Sequence, residues 1–134
     1  MSEELAKGLT GATEALNTKL LTATFALAGL GYGVTADVDL GPPTGLRLAL
    51  VKDGGTWRLV TFTENRENLT PLLNASRERR LRAVEMLPRL REELEMVAKA
   101  ELTRVMASLR TLDAFLQTLP PAKEVTAHPE APST

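Results

Sequence analysis

Apolar residues recur at helical spacing over the last third of the chain. Ala98, Leu102, Val105, Leu109, Leu112, Leu116 and Leu119 step by four, three, four, three, four and three. That is the a/d rhythm of a coiled-coil seam. Leu87, Leu90, Leu94 and Val97 continue it upstream, and Leu81 and Val84 extend it less cleanly. The opposite face is charged and self-complementary: Glu78–Arg82, Glu85–Arg89, Arg91–Glu95 and Glu95–Lys99 are all i,i+4 pairs, each worth roughly 0.2–0.5 kcal/mol. The pattern predicts one long amphipathic helix from Ser76 to Leu119. Pro88 is its one flaw, since proline lacks a backbone donor and crowds the carbonyl four residues earlier. The residues before it offer no Ser, Thr, Asp or Asn cap. A kinked continuous helix is therefore expected, rather than a helical hairpin.

The first third has a second helical stripe. Leu5, Leu9, Ala12, Leu16, Leu20, Ala23 and Leu27 share a face, and Leu21, Phe25, Ala28 and Leu30 widen it. The predicted helix starts at Ser2, is one-sided at first and is buried on most sides at its end. Gly29 and Gly31 are candidate terminators.

The period then changes from helical to alternating. Tyr32, Val34, Ala36, Val38 and Leu40 alternate with Gly33, Thr35, Asp37 and Asp39, the signature of a half-buried strand. GPPTG at 41–45 is a turn, because Pro42 and Pro43 cannot donate to a ladder. Leu46 to Val51 and Trp57 to Thr63 read as two further strands, joined by an Asp53-Gly54-Gly55 hairpin. Both faces of these two strands carry apolar residues. The expected sheet is covered by the helices on one side and by a partner or second copy on the other. ENREN at 64–68 is a polar connection. Thr70-Pro71 fits a helix cap followed by a first helical position, with a short helical turn over Leu72 and Leu73, and Ser76 can cap a restart. The fold class is α+β: an N-terminal helix, a three-stranded antiparallel meander and a long C-terminal helix. A small body over 1–75, the long helix over 76–119 and a disordered tail over 120–134 are expected.

Length sharpens the argument. A helix of about 44 residues spans roughly 65 Å, whereas a compact chain of this size has a radius of gyration of about 14 Å. Leucines at that distance from their own domain need other cover. Composition removes competing readings. The 134 residues include no cysteine, which excludes disulfides and thiolate metal sites. The formal net charge of −1 gives no global field for nucleic acid or anionic lipid. The most apolar run, Leu20 to Val34, is shorter than the roughly 20 residues of a spanning helix. The reading is a cytoplasmic protein without a membrane span.

Candidate chemistry is sparse. Gly29-Leu30-Gly31-Tyr32-Gly33 runs from a helix into a strand, whereas a phosphate loop runs from a strand into a helix. Asp37 and Asp39 share a strand face but have no third ligand nearby, and Glu64 and Glu67 are loop acids. His128 is the only histidine and falls in the expected tail. No catalytic, metal or cofactor site is expected, and the chain is read as not an enzyme. Arg77, Arg79, Arg80 and Arg82 form the one basic cluster, a candidate surface for nucleic acid or another anionic partner. Tyr32, Trp57 and Phe62 are the candidate lining of a small-ligand pocket between the first helix and the sheet.

The order helix, three-stranded meander, helix is similar to the first half of secretion-chaperone-like folds, which implies client binding as a dimer. The likeness is one of element order; no motif carries it, and the later strands of that fold are missing. The leading expectation is a non-enzymatic protein–protein interaction module, a scaffold, adaptor or chaperone-like protein. It would assemble as a homo-oligomer, with a protein partner, or both. Its interface would be Leu94, Ala98, Leu102, Val105, Leu109, Leu112 and Leu116.

Overall fold

The computed structural model describes residues 2–41, 45–63 and 69–120. Pro42–Thr44, the connection at 64–68 and the tail from 121, with His128, lie outside the described residues. The element order is α1 (Ser2–Ala28), β1 (Ala36–Asp39), β2 (Arg47–Asp53), β3 (Thr56–Phe62), β4 (Thr70–Pro71), a short 3₁₀ turn (Leu72–Asn74) and α2 (Arg77–Leu116). The α+β class and the antiparallel meander stand as read. The chain divides into two compact units, Met1–Lys99 and Ala100–Thr134, so the first turns of α2 belong with the sheet.

Glycine ends α1 where expected. The Gly29 amide donates to the Phe25 carbonyl at 2.8 Å and Gly31 to Ala28 at 3.1 Å. Gly31 has φ +72°, a conformation that costs glycine no Cβ clash. The stripe of α1 meets the sheet only over its second half: Leu20 and Thr24 are buried, and Leu16 and Leu27 pack at the margin. The Thr24 hydroxyl is satisfied by the Leu20 carbonyl at 2.9 Å. The end of α1 is not buried on most sides. Leu21 and Phe25 stay exposed, because the sheet meets only one face of the helix.

The sheet order is β1-β2-β3-β4, antiparallel throughout. Asp53 pairs with Thr56 across Gly54 and Gly55, whose φ angles are +59° and +86°. Two consecutive positive φ values are those of the type I′ turn that matches strand twist. One sheet face carries Val38, Leu48, Leu50 and Leu59 into the main core, where Leu20 of α1, Leu72, and Ala83, Leu90 and Leu94 of α2 meet them. The other face holds a smaller cluster of Ala49, Val60 and Phe62. These three are only 2–5 % exposed within the single chain, so they need no second copy to cover them.

Thr70-Pro71 pairs with β3, Val60 against Pro71 and Thr61 against Thr70; the expected short helical turn follows directly as the 3₁₀ turn Leu72–Asn74, with Leu72 in the core. The long helix starts afresh at Arg77. Its cap is the expected Ser76, whose Oγ accepts the Arg79 amide at 3.2 Å. From there α2 runs unbroken through Pro88. Pro88 and Val84 are both exposed, so water can take the Val84 carbonyl that the missing N–H leaves free. The core face of α2 is Ala83, Leu87, Leu90 and Leu94. Leu81 and Val84, which extended the sequence stripe, are exposed.

Thr61 is fully buried on the core face of β3, and its Oγ1 has no hydrogen-bond partner. Leaving a buried hydroxyl unpaired costs about 1–3 kcal/mol. Thr61→Val keeps the shape and removes that cost, so it should raise stability by about 1 kcal/mol. Urea unfolding followed by the emission of Trp57, the only tryptophan, measures this; a less stable variant would mean the hydroxyl is bonded.

Candidate functional site

The acidic and basic groups singled out in the sequence are largely engaged in structure. Asp37 on β1 accepts from Arg47 Nε of β2 at 2.7 Å. Asp39 turns back to accept the Gly41 amide at 2.8 Å, an Asx turn at the end of the strand. Among the described residues, no group of three or more His, Cys, Asp or Glu could hold a metal ion.

The arginine cluster sits on the first turns of α2 but does not act as one patch. Arg80 Nη1 donates to Asn17 Oδ1 of α1, and its Nε is buried without a partner. This arginine is a strut between two helices. Arg82 Nε lies 3.3 Å from Glu78, one of the expected i,i+4 pairs; Arg91 and Glu95 form another at 3.6 Å. Arg77 and Arg79 are exposed. An anion would find two of the four guanidinium groups already committed.

The expected ligand pocket is only partly assembled. Trp57 lines an apolar recess of about 210 Å³ with Leu20, Leu21, Phe25, Pro71 and Leu73. Tyr32 shares a second, much smaller cleft with Trp57, beside Leu27, Val34, Leu50 and Leu94. Phe62 is buried on the opposite face of the sheet, because residues 57 and 62 differ by an odd number and strand side chains alternate. Leu21, Phe25 and Leu73, not anticipated as lining, come from elements whose sequence pattern pointed to plain packing.

The leucine seam divides into a buried and an uncovered part. Leu94 is 1 % exposed and belongs to the main core. Ala98 is half-buried. Every residue from Lys99 to Pro120 is exposed. Leu102 stands at 61 % and Val105, Leu109, Leu112 and Leu116 at 45–52 %. Met106, Phe115 and Leu119 are also exposed, bringing the large apolar side chains left open between 102 and 119 to eight. Met106 and Phe115 flank the a/d positions rather than occupying them, so a strict heptad count passes over them. The flanking charges are few, with Arg104 near Glu101 at 3.8 Å.

No family model matches the chain, and no significant match is found among curated proteins or among solved structures. No helix among the described residues is long and apolar enough to cross a membrane.

The Arg80 strut has its own test. Asn17→Ala removes the acceptor and leaves a largely enclosed guanidinium short of a second partner. Stability should fall by about 1–3 kcal/mol in the same urea assay. A change too small to measure would mean that the contact does not hold α1 to α2.

Proposed function

We propose that this chain is a non-enzymatic protein–protein interaction module that self-associates through the C-terminal part of α2. Its role is that of a scaffold, adaptor or chaperone-like protein. One observation supports the reading above the rest. Seven large apolar side chains lie open along α2 between residues 102 and 116, and Leu119 follows just past its end; all but Met106 and Phe115 keep coiled-coil spacing, with little charge among them. Covering the exposed half of a leucine is worth about 1 kcal/mol or somewhat more. A stripe of this length is a strong drive to associate. The interface then comprises Ala98, Leu102, Val105, Leu109, Leu112 and Leu116, widened by Met106 and Phe115. Leu94 is already taken up by the core of its own chain. The arginine cluster supports an anionic partner less well, since Arg80 and Arg82 are held within the chain.

Light scattering on the intact chain and on Leu109→Glu/Leu112→Glu tests this. The wild type should have a mass that is a multiple of 14.5 kDa, and the double variant should fall to the monomer with its helix content retained. Both positions are exposed, so the folded unit containing the sheet tolerates the charges. A wild type that stays monomeric as concentration rises removes the reading. Association that survives both glutamates moves the interface elsewhere.

A further inference from the structure

Building on that reading, we infer that the partner of the stripe is the same helix segment of a second copy, running antiparallel. In the register proposed, Leu109 of each copy lies against Val105 of the other. Leu102, Leu109 and Leu116 occupy one seam position, and Ala98, Val105 and Leu112 the other. An antiparallel pair joins one set to the other, so three kinds of layer form: Leu102 with Leu112, Val105 with Leu109, and Ala98 with Leu116. Each seam residue from 98 to 116 finds a partner, and the smaller side chains meet larger ones. The two-fold axis passes at the level of Ala107.

The flanking residues choose this arrangement over its competitors. One flank carries Lys99, Met106 and Asp113; the other carries Glu101, Ser108 and Phe115. In an antiparallel pair each flank faces its own kind. Lys99 of each copy then meets Asp113 of the other, giving two opposite-charge contacts per dimer. Met106 meets Met106, Ser108 meets Ser108, and Glu101 meets Phe115, the one contact of this register that sets a carboxylate against an apolar side chain. Sliding the register by one heptad keeps as many apolar layers but sets Asp113 against Met106 and gives Lys99 no carboxylate on the other copy. A parallel, in-register pair sets Ser108 against Asp113 and Glu101 against Met106, with no opposite charges matched. It also inverts the preference of parallel dimers for a β-branched residue at the first seam position and leucine at the second, since here leucine precedes valine. Opposed helix dipoles add a small further gain.

The absence of cysteine makes a single introduced thiol a clean reporter. Ser108 is exposed and lies next to the proposed axis. Under mild oxidation Ser108→Cys should link to itself as a covalent dimer. In a parallel pair the two thiols sit on opposite flanks, out of reach, and a mixture of Ser108→Cys with Asp113→Cys chains links instead. A second readout needs no disulfide. Lys99→Glu should weaken association several-fold, and adding Asp113→Lys to the same chain should restore it. Self-linking together with charge rescue supports the antiparallel pair. An associated chain without Ser108 self-linking, or without rescue, overturns it while leaving self-association intact. A chain that does not associate at all overturns the proposed function itself, and this geometry with it.

Discussion

One apolar stripe on α2 serves two different surroundings, and the sheet can supply only the first. Strands of four to seven residues extend about 13–23 Å. Four strands side by side are no wider than about 20 Å. A helix of 40 residues is about 60 Å long. In whatever direction α2 crosses, the sheet covers at most about half of it. Leu87, Leu90 and Leu94 are taken into the core, and the leucines from Leu102 onward are open. The spacing does not change between the two; only the cover does.

That limit also accounts for α1. Its second half lies on the sheet through Leu20 and Thr24, whereas Leu5 and Leu9 of the first half remain exposed. The body is thus a thin layer of helix on a small sheet, held by Val38 of β1 and by leucines from β2, β3, the 3₁₀ turn and both helices. Polar ties are few among the described residues. Arg80 reaches Asn17 between the helices, and Arg47 reaches Asp37 across β1 and β2. Apolar burial is what holds this unit together, and the same force is what the open end of α2 has to offer a partner.

Much of the fold was legible because local chemistry and tertiary packing agree. Asp53-Gly54-Gly55 demands a tight hairpin, Gly29 to Gly31 ends a helix, and Ser76 begins one; each does so in the structure. The failures come where packing outweighs local preference. Thr70-Pro71 looks like a helix start, but the free edge of β3 recruits it as a short strand, and the helical turn begins only at Leu72. Ala83 carries too little hydrophobic signal to mark the core, yet it is completely buried, while Leu81 and Val84 beside it are not. Alternation put Phe62 and Trp57 on opposite faces from the start, which already excluded a pocket shared by both. The candidate surface was readable as a seam but not as two parts. Nothing in the spacing reveals that Leu94 is covered and Leu102 is not, because that depends on how far the sheet extends.

The central claim is that the helix beyond Lys99 is sheltered by another molecule of the same chain. Hydrogen exchange of the backbone amides between 102 and 116, followed as the protein is diluted, tests this most directly. A single exposed helix end opens readily, whereas one packed against a partner opens only when the pair separates. Slow exchange at high concentration that becomes fast on dilution, with the amides of β2 and β3 unchanged, is the predicted result. Exchange between 102 and 116 that is fast and independent of concentration would contradict the account.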